Sequence, residues 1–245
     1  VEQRGSAAFI GELIGTFFLV VFIAIVLSSF NATETGLGYA DFTAIGLLHV
    51  FILAMLVATL GGVTGAHFNP AVTLTMIALR KIRGSDGAVY IVMQLIGAVL
   101  AALFVRLVLH QEGESVDYGA TTLNEPRLGD GPWGGLALEM LGTFALMWAI
   151  MGTAVNPRAN ASWAPLIIGG TLGAAVMAIG PLTGAGFNPA RSFGPALVSG
   201  EFGDFWVYVV GPALGALLAG MAYTAVALQP RDLDPGERPV DTLPS

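Results

Sequence analysis

Apolar residues run almost unbroken through six stretches of the chain, at about 7–29, 42–60, 88–109, 134–155, 163–181 and 205–228. Each meets the roughly 20 mostly apolar residues that a membrane-spanning helix needs. Shorter apolar pieces, at about 69–79 and 188–198, lie between the second and third stretches and between the fifth and sixth. At about 1.5 Å per residue such a piece is about 15 Å long, half the hydrocarbon core, so it can enter and return but not cross. The pattern predicts an all-α membrane protein whose halves each hold three spans and one half-span. The odd number of crossings gives the halves opposite topology. The first stretch follows Arg4 as a secretory leader would, but it is too long, carries Glu12 and precedes five more spans. It reads as the first helix.

Composition agrees, with 55% of residues hydrophobic and 11% charged, too few polar groups to cover one soluble core. Basic residues set the orientation. Arg4, Arg80, Lys81, Arg83, Arg158, Arg231 and Arg238 all fall on one side of the six-span arrangement. That side is expected to be cytoplasmic and to hold both termini. The opposite loops carry Glu34, Glu112, Glu114, Asp117, Glu125, Asp130, Glu201 and Asp204, with Arg127 the single loop cation. The net charge of −7 therefore reflects an acidic outer face, and nothing suggests nucleic-acid binding. The lack of cysteine excludes disulfides and thiolate metal sites. The Pro- and acid-rich segment 229–245 is expected to be a disordered cytoplasmic tail, which leaves 1–228 as one membrane domain.

The polar positions inside the apolar pattern repeat. Thr64-Gly65-Ala66-His67-Phe68-Asn69-Pro70-Ala71 returns as Thr183-Gly184-Ala185-Gly186-Phe187-Asn188-Pro189-Ala190. Asn is a strong helix N-cap, and Pro suits the first helical position, where a backbone N–H would go unpaired. Each copy predicts a Gly-rich loop, at 61–68 and 180–187, then a capped half-helix. Non-helical backbone at membrane depth survives only when packed in protein or lining a wet cavity. Two such starts suggest broken helices meeting inside a pore or carrier. The match extends to Glu12-Leu13-Ile14-Gly15-Thr16-Phe17 against Glu139-Met140-Leu141-Gly142-Thr143-Phe144, and to Gln94-Leu95-Ile96-Gly97 against Pro212-Ala213-Leu214-Gly215. The repeats thus cover about 5–110 and 133–228. The glycines of the spans read as close helix packing. Glu12 and Glu139, carboxylates in equivalent midspan positions, are either proton-relay acids of a coupled carrier or acceptors for the N–H groups of the loop in their own half. One acid per loop favours the second reading.

Over residues 5–228 these motifs resemble the major intrinsic proteins, the aquaporin family. The resemblance rests on the two Asn-Pro-Ala boxes, on Arg191 directly after the second, and on a Glu in the first span of each half. The run from Gly180 to Ala196 is similar to the tonoplast-type and prokaryotic water channels. It implies six tilted helices, half-helices meeting at the midplane, and a homotetramer with one pore per subunit. It further implies that Asn69, Pro70, Ala71, Asn188, Pro189 and Ala190 form the pore centre, where both asparagine amides donate to passing water. Gly65, Ala66, His67, Gly184 and Gly186 would line the pore on its two loops.

By the family's spacing from the two boxes, the outer selectivity filter falls on His49, Val176, Ala185 and Arg191. The His49 ring on the second span, beside aliphatic Val176 and small Ala185, departs from strict water channels, which typically have Phe there and His on the fifth span. Tonoplast-type channels, some of which also pass ammonia, are similar. Ser192 and Ala196 match the water-selective branch, whereas Val209 stands where many water channels have Trp. The implied function is a passive channel for water, with ammonia or another small neutral solute as a second candidate permeant. A glycerol or polyol facilitator and an inverted-repeat secondary transporter are the alternatives. No catalytic residue, cofactor or metal is expected. Compact loops point to the cell membrane of a prokaryote.

Overall fold

A computed structural model describes residues 5–30, 37–129 and 131–228. Arg4, Glu34, Asp130, Arg231, Arg238 and the 229–245 tail, all invoked above, lie outside the described residues. Six helices are long and apolar enough to cross a membrane. The first half contains α1 (Ser6–Ser29), α2 (Tyr39–Thr64), the half-helix α3 (Pro70–Ala78) and α4 (Gly84–Val108). A connection follows on the side away from Arg80, Lys81 and Arg83, termed the outer side, with α5 (His110–Glu114), a tight turn at Asp117–Gly119 and α6 (Glu125–Leu128). The second half contains α7 (Trp133–Ile150), which continues through a wider π-type turn at Met151–Val155, then α8 (Ala164–Thr183), the half-helix α9 (Pro189–Ser199) and α10 (Val207–Ala227).

The halves pack as inverted copies. Helix α1 lies on α4 and α7 on α10, while α2 and α8 join the two halves. Small residues make the contacts close, as expected where lipid supplies no hydrophobic push between helices. A Cβ on Gly97 would lie 2.4 Å from the Leu13 carbonyl oxygen, and one on Gly215 would lie 2.2 Å from that of Met140. Bulky apolar side chains such as Ile14, Phe18, Phe51 and Leu141 turn outward, where lipid is the natural solvent.

The spans lie within a few residues of the predicted ones, but the loops are shorter than predicted. Residues 61–64 and 180–183 are helical, so only 65–69 and 184–188 are irregular. Glycine is tolerated in membrane helices, and the helices end only where Gly65 and Gly184 turn left-handed at φ 84° and 70°. The connection between α7 and α8 contains the π-type turn and a short turn at Ala161–Trp163.

Candidate permeation site at the meeting of the half-helices

Both Asn-Pro-Ala boxes start helices as predicted. The Asn69 side-chain oxygen accepts from the Ala71 N–H at 2.9 Å, and Asn188 accepts from Ala190 and Arg191 at 3.0 and 3.3 Å. Each asparagine amide donates across to the other loop. Asn69 Nδ2 reaches the Phe187 carbonyl at 2.9 Å, and Asn188 Nδ2 reaches that of Phe68 at 2.8 Å. An amide nitrogen carries two hydrogens. These bonds take one each, and both asparagines line the same narrow cavity.

The loops are strained in register. Ala66 and Phe68 have φ of 51° and 47°, and Ala185 and Phe187 have 51° and 50°. Left-handed backbone costs a non-glycine residue about 1–2 kcal/mol and persists only where its surroundings hold it. The two buried glutamates supply that hold. Glu12 accepts from the N–H of His67 at 3.0 Å and of Phe68 at 2.7 Å. Glu139 accepts from Gly186 at 3.0 Å and Phe187 at 2.6 Å. Further donors complete each carboxylate: Gln94 at 2.7 Å and the Thr64 hydroxyl for Glu12, and the Thr183 hydroxyl at 2.7 Å for Glu139. These contacts are those of loop acceptors, with two backbone donors on each carboxylate.

Three cavities run in series. An outer vestibule of about 430 Å³ reaches Arg191 from Asp117, Gly119, Thr122 and Asn124. An inner one of about 640 Å³ reaches Gly65, Ala66 and His67. Between them a narrow segment leaves about 30 Å³ for water centres, walled by His49, Asn69, Asn188, Arg191, Ala66 and Gly186 among mostly apolar neighbours. Gly184 faces the outer vestibule. Two of the four residues assigned to the filter, His49 and Arg191, therefore meet on the narrow wall. Val176 and Ala185 are buried but contribute to none of the three walls. Val209 is exposed on α10 and also stands outside these walls.

His49 Nδ1 lies 2.7 Å from the Ile45 carbonyl oxygen. That oxygen can only accept, so Nδ1 bears a proton, and whenever the ring is neutral Nε2 is an acceptor. Arg191 Nη1 donates to the Gly119 carbonyl, at 2.6 Å, while its buried Nε has no protein partner. His67 faces the cavity too, and its ring is held by Thr73 Oγ1 at 3.1 Å and by the edge of Tyr90. On the outer turn, Asp117 is raised above the ordinary carboxylate pKa, first by burial and then by the charge of Glu201. Among the described residues no cluster of three or more acids and histidines is arranged to hold a metal.

Sequence reasoning missed several members of the site. Tyr90 and Tyr208 are fully buried, and their hydroxyls donate to the carbonyls of Thr64 and Thr183, at 2.7 and 2.8 Å. These tie down the last residues of α2 and α8. Their signal was present, since both tyrosines precede the matched Gln94 and Pro212 by four positions. The Gly119 carbonyl had no such signal, because any residue carries one.

A family model described as "Major intrinsic protein" matches residues 2–223. The chain is 38% identical over 235 residues to aquaporin AqpM of Methanothermobacter thermautotrophicus, covering 87% of this chain and 94% of that protein. It is 39% identical to aquaporin TIP4-4 of Zea mays, over 88% of this chain and 84% of that one. The X-ray structure of the aquaglyceroporin from Plasmodium falciparum shares the fold, with a TM-score of 0.74 at 24% identity, covering 90% of this chain and 96% of that chain. This chain belongs to the major intrinsic protein family and is a multi-pass membrane channel, not an enzyme.

Proposed function

We propose that the permeant is water, with ammonia as a second small neutral solute, and that glycerol is excluded. The observation that carries this reading is the narrow segment between the vestibules. It leaves about 30 Å³ for water centres, against about 430 and 640 Å³ in the vestibules on either side, which favours the smallest neutral solutes over a polyol. Arg191 presents donors and a positive charge, His49 an acceptor, and the two asparagines one free amide hydrogen each, a sequence that replaces the hydrogen bonds a water leaves behind. The N-termini of α3 and α9 each bring about half a positive charge to the same point, which opposes cations and migrating protons. In this reading His49 and Arg191 form the filter wall, with Val176 and Ala185 backing it. Glu12 and Glu139 hold the loops.

Residues 1–228 act as one channel domain, with both termini in the cytoplasm, on the side of Arg80, Lys81, Arg83 and Arg158. The membrane is assigned as the cell membrane of a prokaryote. The working form is a homotetramer. Its support is a groove on the outer face of α7 and α8, where small Ala145, Gly170 and Ala174 leave room for the side chains of a neighbouring copy.

Stopped-flow light scattering on proteoliposomes under sucrose, glycerol and ammonium gradients tests the reading. Fast shrinkage in sucrose with a low activation energy, and little glycerol entry, is the expected result. Glycerol flux comparable to that of water overturns the selectivity, and saturable, steeply temperature-dependent flux overturns the channel.

A further inference from the structure

We propose that Tyr118, which lines none of the three cavities, is the residue that positions Arg191 at the narrow segment. The proposal rests on reading Arg191 as a filter residue. The Arg191 guanidinium is tied through Nη1 to the carbonyl of Gly119, the residue after Tyr118. That carbonyl is aimed by an unusual backbone, because Asp117, Tyr118 and Gly119 have φ of 49°, 53° and 90° in succession. Three left-handed residues in a row, two of them not glycine, do not persist unaided.

Tyr118 supplies what holds them. Its side chain is 4% exposed and sits in an apolar cluster with Val20, Ala24, Ala101, Val105 and Ala190. Its ring fills the space beside Gly113, where a Cβ would come within 2.7 Å, and its Oη lies 3.2 Å from His110 Nδ1 on α5. Gly119 in turn packs on α1 so closely that a Cβ would stand 3.3 Å from the Ala24 Cα. Ala190 directly precedes Arg191, and Tyr118 directly precedes Gly119. One cluster therefore grips both partners of the Arg191–Gly119 bond by their chain neighbours. Release of the Tyr118 plug frees the turn to take ordinary backbone angles, and the Gly119 carbonyl swings away from Arg191. The guanidinium, whose Nε has no hydrogen-bond partner among the described residues, then loses the carbonyl that fixes its place.

The test is the glycerol-to-water permeability ratio of full-length protein in proteoliposomes. Tyr118→Ala is expected to raise the ratio about tenfold, the size of a coupling carried through packed neighbours, with water flux retained. Tyr118→Phe keeps the plug, and His110→Ala, at an exposed position, removes only the hydroxyl's partner. Each is expected to raise the ratio about twofold. In an Arg191→Val background, which raises the ratio by itself, none of the three should add to it. A ratio that rises in Arg191→Val but stays flat in the folded Tyr118 and His110 variants overturns the proposal while leaving the filter reading standing. Independent, multiplying effects of the Tyr118 and Arg191 changes overturn it too. Should Tyr118→Ala not fold, Tyr118→Leu, which shortens the plug, takes its place, and a flat ratio in Tyr118→Leu decides against the proposal. If Arg191→Val leaves the ratio unchanged, the filter reading falls and this proposal with it.

Discussion

Asn69 and Phe187 belong to opposite halves of the chain, yet the Asn69 side-chain amide donates to the Phe187 carbonyl at 2.9 Å, and the symmetric bond runs from Asn188 to Phe68. The asparagine that caps one half-helix thus fixes the carbonyl preceding the other. Capping and cross-linking separate by substitution. Asn69→Asp keeps the cap acceptor and loses the cross-loop donor, whereas Asn69→Ala loses both. The alanine variant should lose roughly 0.5–2 kcal/mol, the worth of an N-cap, and the aspartate variant more, because its carboxylate oxygen stands against the Phe187 carbonyl. Thermal unfolding in detergent checks the order, and proton leak in proteoliposomes should rise in the aspartate variant, where a negative charge faces the meeting point of the helix N-termini.

Glu12→Gln and Glu139→Gln should each destabilise the protein, because one carboxylate oxygen becomes an N–H₂ facing a backbone N–H. Each donor left unpaired costs about 1–3 kcal/mol. The loss should show in the melting temperature and as reduced water flux through a relaxed loop. A proton-relay role predicts the opposite pattern: unchanged stability with altered proton coupling.

Gly15 and Gly142 occupy equivalent places under the two loop phenylalanines. An added Cβ would stand 2.1 Å from a ring carbon of Phe68 and 2.2 Å from one of Phe187. Gly15→Ala and Gly142→Ala should each cost about 1–3 kcal/mol through overpacking and displace a carbonyl that accepts from an asparagine. Gly97→Ala and Gly215→Ala should be worse, since the obstructing atoms are backbone carbonyls, which move less easily than rings. Detergent melting curves rank the four.

Asp117 gives a pH dependence. With its pKa raised in the folded protein by burial and Glu201, the folded state favours the protonated acid. The resulting stability is complete below the ordinary carboxylate pKa of about 3.9 and is lost as pH rises through the raised value. Asp117→Asn tolerates the same left-handed backbone and never carries the charge. Its melting temperature should match the parent below about pH 4 and exceed it at pH 7. The difference should be small, under about 1 kcal/mol, because the Asp117 carboxylate is only partly withdrawn from water and its charge is screened.

Much of this molecule was written in local pattern. The lengths of the apolar runs decide which segments span the bilayer and which return, because a helix rises a constant distance per residue against a fixed thickness. Asn-Pro decides where α3 and α9 begin, since cap and ring act on their own neighbours. The repeat decides the inversion, and the two acids could be assigned to the two loops by symmetry alone. Local pattern overestimated the loops, because glycines 61 and 62 look like breakers but are helical, as glycine often is in membrane helices.

What only the tertiary structure decided is how distant segments meet. The crossed asparagine bonds, the tyrosine hydroxyls on Thr64 and Thr183, and the width of the narrow segment depend on contacts between residues far apart in sequence. So does the Gly119 carbonyl on Arg191. A carbonyl belongs to every residue, and only the fold selects which one faces the charge.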